Sequence, residues 1–334
     1  MNTRRLLTGL LCAVSLFGVG AVAGCSSVAS GPIYKITMGY GSFPGWHPWK
    51  VAEEQGIFRN NGIDVQLKYF DSVKEGNAAM ASGAIDANNQ TLNDTLTATS
   101  EKAKPQKIVL VNDTSTGANQ IIARDGITSV TDLRGKRVAV EKDVVDYYFL
   151  RLVLQNARLS LDDIDLVPMR TDAATAAFVG GKVDAVANHT PLTAAALKKP
   201  GSSAIATTAE YPNACSDHLV VSADLVKNSP DAVQALVNSW FQTLNWIKAH
   251  QDEANGILAE RAGVAPEDYD SYTAGLTMLT LQQNIDEFTP GVTPKNLNFQ
   301  ANDIADFIID AGISQHRPSV NDLLEGRFVS AAAQ

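Results

Sequence analysis

The chain contains, from residue 78 to residue 94, the run Ala78-Ala79-Met80-Ala81-Ser82-Gly83-Ala84-Ile85-Asp86-Ala87-Asn88-Asn89-Gln90-Thr91-Leu92-Asn93-Asp94. It reads as a small-residue helix, a glycine stop, a short apolar strand and a polar run. The run is echoed farther on by Ala176-Ala177-Phe178-Val179-Gly180-Gly181-Lys182-Val183-Asp184-Ala185-Val186-Ala187-Asn188-His189-Thr190. An internal repeat of this kind indicates that two parts of the chain share one structural plan.

The segments that lead into the two copies match as well. Alternating residues precede each copy at Val65, Leu67 and Tyr69, and at Ile164, Leu166 and Pro168. Short strands that alternate with helices are typical of parallel α/β sheets. We therefore predict an α/β protein with two lobes, each built on one βαβαβ plan and flanked by helices.

Length and composition agree with two lobes. The chain has 334 residues, which fits two domains of roughly 150 residues each. Hydrophobic residues make up 45% and charged residues 19%, so ordinary cores can form. The net charge is -9 and no Lys/Arg-rich run is present, which argues against nucleic-acid binding.

The N-terminus reads as an export signal. Arg4 and Arg5 precede an apolar run over 6–23, which ends in Val22-Ala23-Gly24-Cys25. This ending resembles a bacterial lipobox, so we expect a signal peptide over 1–24, a lipid on Cys25 and a flexible tether over 25–32. A simple signal peptide, an uncleaved membrane helix and a twin-arginine signal remain alternatives. Removal of 1–24 takes two arginines and no acid, which changes the net charge from -9 to -11.

Hydrophobic periodicity and turn residues predict the elements of both lobes. Strands are predicted over 33–40, 63–69, 85–87, 108–111, 119–124, 138–140, 164–167, 183–187 and 218–222. Helices are predicted over 48–59, 72–82, from the polar run to about 102, and over 147–157, 173–179, 191–197, 232–249, 252–261, 266–276 and 302–311. Lobe 1 is expected to comprise 33–120 and 219–334, and lobe 2 to comprise 121–218.

Candidate ligand-binding residues follow from one topological rule. In open α/β sheets, ligands bind outside the carboxyl ends of the strands. The rule selects four segments, 40–46, 88–94, 141–147 and 188–190, which two facing lobes would bring to one cleft. The candidates are Ser42, Trp46, Asn89, Gln90, Thr91, Asp94, Glu141, Asp146, Asn188 and His189.

Each candidate also has a purely structural interpretation. Trp46 and Trp49 can pack a helix onto the sheet, and the 91–94 segment can be a helix cap. Asp146 can complement a helix dipole. Asp86 and Asp184 are expected to hold turns, and His218 to be structural.

The sequence resembles the nitrate/sulfonate/taurine-type substrate-binding proteins of ABC importers, a branch of the type II periplasmic-binding fold. The resemblance spans about 36–328. It is carried by Val51-Ala52-Glu53-Glu54-Gln55-Gly56-Ile57-Phe58, Gly62-Ile63-Asp64-Val65, Ser82-Gly83-Ala84-Ile85-Asp86, Asp132-Leu133-Arg134-Gly135-Lys136-Arg137-Val138-Ala139-Val140, Ser160-Leu161-Asp162-Asp163-Ile164 and Gly181-Lys182-Val183-Asp184-Ala185. It implies a monomer without a cofactor that captures a small solute outside the membrane and delivers it to a permease and ATPase.

The loop over 141–146 departs from this family. Many members carry Gly, Ser and Thr there, whereas this chain carries Glu141, Asp143 and Asp146. Small hydroxyl residues and free N–H groups suit an anion, and carboxylates do not. We therefore expect a cationic or zwitterionic solute, held by these acids and Asp94. In the alternative, the acids face solvent or cap helices and the ligand is a plain sulfonate.

Two other functions are compatible with the same fold. One is binding of a thiamine-pyrimidine precursor, or a synthase-like enzyme for it, and the other is a receptor that only feeds a sensor. The enzymes rely on Cys-rich metal-binding segments, whereas Cys215 is the single cysteine expected in the mature body apart from Cys25. We predict a binding protein and no enzyme; a permease and an ATPase encoded nearby would favour transport over sensing.

Overall fold

The computed structural model describes residues 33–100, 103–142 and 144–332. The expected signal peptide, Cys25 and the tether lie outside these residues, as does Asp143. The strands are β1 Tyr34–Tyr40, β2 Ile63–Tyr69, β3 Ala87–Thr91, β4 Gln106–Ser115, β5 Asn119–Ala123, β6 Arg137–Val140, β7 Asp165–Pro168, β8 Ala185–His189, β9 Ser203–Thr207, β10 Ser216–Ser222 and β11 Leu276–Met278.

Helices alternate with these strands and then dominate the last third of the chain. They are α1 Pro48–Glu54, α2 Ile57–Asn60, α3 Val73–Ser82, α4 Leu92–Ser100, α5 Val145–Asn156, α6 Thr171–Val179, α7 Leu192–Leu197, α8 Ala223–Asn228, α9 Pro230–Ala249, α10 Gln251–Ala262, α11 Tyr269–Tyr272, α12 Leu281–Phe288, α13 Leu297–Asp310 and α14 Arg327–Ala332. In the part of the chain that the structure describes, no helix has the length and apolar character needed to cross a membrane.

The strands form two mixed sheets, and the predicted α/β class is confirmed. Sheet one has the order β11-β4-β10-β3-β1-β2, and sheet two has the order β7-β6-β8-β5-β9. In each sheet three parallel strands share a core: β2, β1 and β3 in sheet one, and β7, β6 and β8 in sheet two. Each sheet also takes in a reversed strand beside this core, β10 next to β3 and β5 next to β8.

The repeated motif has the same local structure in both sheets. Gly83 and Gly181 follow the helices α3 and α6 with φ of 73° and 72°, a left-handed conformation that glycine adopts without steric cost. The Asp86 carboxylate accepts the backbone N–H of Thr37, and the Asp184 carboxylate accepts that of Arg137, both at 2.8 Å. The repeated aspartates therefore tie the turn to the neighbouring strand, as the turn-holding interpretation expects.

In both copies of the repeat, the strand begins two residues later than predicted. The strands predicted over 85–87 and 183–187 begin at Ala87 and Ala185, because the preceding Ile-Asp and Val-Asp pairs form the turn. Strand β3 then runs through the polar residues to Thr91. These amides were expected in a loop, but the strand lies between β1 and β10, where other side chains satisfy them.

Other predicted elements differ in extent. The helix predicted over 48–59 is split at Gly56, whose φ of 67° ends one helix and begins the next. The helix predicted over 266–276 is reduced to a turn and α11, and the chain then adds β11 to the edge of sheet one. Ser72 precedes α3, which begins at Val73, and its hydroxyl makes no capping hydrogen bond.

Apolar clusters pack against the faces of both sheets, and two of them are the most extensive. On one face of sheet one, α1 and α9 pack Trp49 against Trp240 with ring centroids 4.6 Å apart. The largest cluster continues from sheet one into sheet two, and it includes Ile108, Val138 and Ile304. Because this core is shared, the strand ends of the two sheets are held next to one another.

Candidate functional site

A cavity of about 280 Å³ lies where the ligand-facing strand ends of the two sheets meet. Seven of the ten predicted site residues line it: Ser42, Trp46, Thr91, Asp94, Glu141, Asp146 and His189. The volume suits a small solute rather than a large ligand. Its walls combine aromatic rings with several buried carboxyl groups.

The aromatic wall is built by the loop after β1. A short 3₁₀ turn, Pro44–Trp46, orients Trp46 so that its ring lies 5.5 Å from Phe43. The ring of Phe43 in turn meets His189 edge-on at 5.9 Å. An aromatic surface of this kind can hold the apolar or cationic part of a solute.

Asp146 is fully engaged by protein groups. It lies in the first turn of α5 and is buried, with an exposed fraction of 1%. Its Oδ2 lies 2.7 Å from Nδ1 of His189, and its Oδ1 accepts a 2.9 Å hydrogen bond from the Asn119 side chain. Burial works to lower the pKa of His189, but the Asp146 carboxylate outweighs it and the pKa is raised. The pair therefore carries its own charge compensation.

Glu141 is similarly satisfied. Its Oε2 accepts hydrogen bonds from the backbone N–H and the hydroxyl of Thr171, at 2.8 and 2.6 Å. The ammonium group of Lys74 lies 3.9 Å from its Oε1. Glu141 thus anchors the start of α6 and pairs across the cavity mouth with a residue of α3.

Asp94 is a cavity acid for which the described residues supply no cationic partner. Its side chain is buried, and neither carboxyl oxygen makes a hydrogen bond of good geometry with the described residues, although Thr91 and Asn77 lie close enough to lower its pKa in part. At the start of α4, the backbone N–H of Asp94 donates to the hydroxyl of Thr91. The Asp94 carboxylate therefore does not serve as the helix cap. Burial raises the pKa of Asp94 to about 6.

Asp217 lines the cavity beside Asp94 and was not among the predicted site residues. Its Oδ1 accepts a 3.1 Å hydrogen bond from the indole N–H of Trp46. Directly opposite in the β10–β4 register lies Asp113, which is fully buried with both oxygens unpartnered. Burial is the main cause that raises the pKa of both carboxyl groups, and for Asp113 the neighbouring Asp217 raises it further.

Three predicted site residues do not line the cavity. Asn89 accepts the indole N–H of Trp49 at 2.7 Å and donates to a backbone oxygen of β1. Gln90 bonds to Thr95, and Asn188 to Thr175, at the start of the helices beside their strands. All three are side chains of strands β3 or β8, so their amides serve the packing of neighbouring elements.

The missed residues belong to strands whose direction the prediction did not use. Strand β10 is antiparallel to β3, so its first residues, and not its last, reach the cavity edge at Asp217. The same holds for β5, which places Asn119 opposite His189. Asp113 lies in the last third of β4, beyond the predicted strand end at 111. A polar residue at the start of each reversed strand was the available signal.

Two mixed sheets with a cavity at their facing strand ends are typical of the type II periplasmic-binding fold. The chain belongs to the NMT1/THI5-like family, whose model matches residues 44–254. It is 27% identical over 255 residues to the taurine-binding periplasmic protein of Escherichia coli K12, covering 72% of this chain and 78% of that protein. The resemblance stated from sequence is thereby confirmed.

Solved structures agree on the fold. The alkanesulfonate-binding protein SsuA from Xanthomonas axonopodis pv. citri, bound to MOPS, has a TM-score of 0.72 at 19% identity, covering 89% of this chain and all of that one. The desulfurization enzyme DSZB has a TM-score of 0.65 at 16% identity, covering 90% and 99%. The same fold is therefore found in binding proteins and in an enzyme.

Proposed function

We propose that this protein is the extracytoplasmic solute-binding component of an ABC importer, and that its solute carries a positive group, alone or in a zwitterion. It captures the solute between the two sheets and presents it to a permease and its ATPase. The carrying observation is that Asp94 and Asp217, two buried carboxyl groups, face one cavity in which the lining cations, Arg170 and His189, are already paired with Asp172 and Asp146.

The electrostatics of the cavity support a cation. A buried carboxylate without a partner is costly, and removal of water from a closed cleft increases that cost. Asp146 and Glu141 already have partners in His189 and Thr171. A ligand ammonium or amidinium group would instead compensate Asp94 and Asp217.

The relatives fit this proposal in part. The name of the Escherichia coli relative specifies taurine, which joins an ammonium group to a sulfonate. The ammonium group of such a zwitterion would pair with the acids of the cavity. Such a solute also agrees with the one that the relative's name specifies. A plain sulfonate or nitrate lacks the positive group that these acids require.

We propose binding rather than catalysis in this cavity. Cys215 lines it, but burial raises the pKa of this thiol well above its ordinary value, which leaves little reactive thiolate. His189, the imidazole at the cavity, is tied to Asp146 at 2.7 Å. Neither side chain is set up as a nucleophile with an adjacent free base.

Attachment and motion complete the proposal. The signal peptide over 1–24 directs export, and a lipid on Cys25 holds the monomer at the outer face of the membrane through the 25–32 tether. The lobes, 33–120 with 219–334 and 121–218, close on the solute by a hinge motion.

Calorimetry with taurine, choline and nitrate tests the solute class. A ligand at about 100 times its dissociation constant should add about 2.7 kcal/mol to the free energy of unfolding. Asp94→Asn should weaken binding of the cationic or zwitterionic solute by roughly 2–5 kcal/mol, because a buried charge loses its partner. The control is Asp64→Asn on the exposed side of β2. Binding of nitrate, and not of taurine or choline, by the wild-type protein would contradict the proposal.

A further inference from the structure

Asp113 and Asp217 form a buried carboxyl pair at the wall of the cavity. They are direct partners in the antiparallel register of β4 and β10, a position that brings side chains on one face to about 5 Å at Cβ. Asp217 lines the cavity, whereas Asp113 lies behind it with an exposed fraction of 0%. Asp217 is thus the member that a solute can touch.

The neighbouring loop leaves room for this pair. A side chain at Gly45 would bring its Cβ within 2.7 Å of Cγ of Asp113, so the absence of a side chain there creates the space for the carboxyl group. The next residue, Trp46, donates its indole N–H to Asp217. Two adjacent residues of one turn therefore accommodate the two members of the pair.

The charges around the pair are mainly negative. Asp94 on α4 and Asp146 on α5 face Asp217 across the cavity, and His189 on β8 supplies a positive charge that Asp146 already compensates. Cys215, just before the strand that carries Asp217, has a pKa raised by burial. Two carboxyl groups in such surroundings cannot both ionise easily, and they titrate as a unit.

We infer that Asp113 and Asp217 share one proton while the cavity is empty, and that Asp217 is the specificity-determining contact for the positive end of the solute, which enters in exchange for that proton. This inference rests on the proposed function. One carboxyl O–H bond breaks, the proton leaves to solvent, and an N–H or other cationic group of the solute takes its place against Asp217. The two carboxylates with the bound cationic group have a net charge of one negative unit, the same as the two carboxyl groups that share one proton.

The exchange explains how the cavity could select for charge. A neutral analogue cannot replace the proton, because it would leave two negative charges facing one another. An anion meets Asp94 and Asp217 without compensation. Asp217 makes the contact that selects for charge, and Asp113, which the solute does not touch, contributes by sharing the proton that the solute replaces.

Carbon-13 NMR of aspartate-labelled protein tests the shared proton without any solute. The wild-type protein should show a carboxyl resonance of this pair that titrates near neutral pH. That titration should shift toward the ordinary aspartate range in both Asp217→Asn and Asp113→Asn, because each variant removes one of the two carboxyl groups that share the proton, while Asp64→Asn leaves it unchanged. A wild-type spectrum in which every aspartate titrates near its ordinary pKa of about 3.9 would overturn the inference.

Calorimetry with methylammonium, choline and taurine in buffers of different ionisation enthalpy tests the exchange. Below neutral pH, the probe that binds should release about one proton from the wild-type protein. Its affinity should then fall about tenfold for each unit by which the pH is lowered. Asp113→Asn should bind without proton release, and Asp217→Asn should lose binding. Binding without proton release by the wild-type protein would overturn the exchange. If none of these probes binds, the proposed function fails, while the NMR titration still decides whether the pair shares a proton.

Discussion

Asp94→Asn should make the empty protein more stable at alkaline pH. The folded protein raises the pKa of Asp94 from 3.8 to about 6, mainly through burial. The folded state thus holds this proton up to a higher pH than the unfolded chain does. Stability is therefore lost as pH rises from about 4 to about 6, and the loss is complete above that window.

The size of the effect follows from the same two values. At about 1.36 kcal/mol per pH unit, the difference between 3.8 and about 6 corresponds to about 3 kcal/mol. Asparagine has a similar shape and no charge, so it removes this cost. The gain should be about 3 kcal/mol above pH 6 and should shrink toward zero as pH falls to about 4.

Urea unfolding of wild type and Asp94→Asn across this pH range measures the gain. Asp64→Asn, an exposed change on β2, should stay within about 0.5 kcal/mol of wild type at every pH. An Asp94→Asn variant that is equally stable or less stable at alkaline pH would refute the reasoning. If the gain in stability comes with loss of solute binding, the protein keeps a destabilising residue because its function needs it.

Three further outcomes are expected. Gly45→Ala should destabilise the protein by about 1–3 kcal/mol through overpacking against Asp113, with partial recovery when Asp113→Ala is added; Gly256→Ala in α10, where the added Cβ meets open space, should be neutral or slightly stabilising in the same unfolding assay. Cys25→Ala should abolish fatty-acid labelling, and equal labelling of wild type and variant would exclude lipidation at this residue. Solution scattering should show a smaller radius of gyration at saturating solute, and an unchanged profile would count against closure.

The architecture was predictable because the sequence contains the same strand–helix–turn pattern twice. Gly83 with Asp86, and Gly181 with Asp184, mark the same turn twice, and each copy carries its strand and helix in the same order. Local chemistry decides such turns: glycine supplies the positive φ, and the aspartate accepts the N–H of the adjacent strand. The repeat therefore predicted both parallel cores.

The site was predictable only where strand direction was obvious. Trp46, Asp94 and Asp146 follow parallel strands, and the rule of carboxyl ends found them. Asp217 and Asn119 begin reversed strands, and the sequence alone does not say that β10 and β5 enter their sheets antiparallel. The orientation of the Asn89 amide depends on Trp49, a contact made only in the folded core.

The two passages of the chain between the sheets lie at the edge of the cavity. The chain passes between the sheets at 115–119 and again at 207–216, and Thr208 bonds to Ser115 where the two passages meet. Asn119 and Asp217, immediately after these passages, line the cavity. Any change of the angle between the sheets must move Asn119 and Asp217 relative to a bound solute. Opening of the cleft and weakening of these contacts would therefore be the same motion.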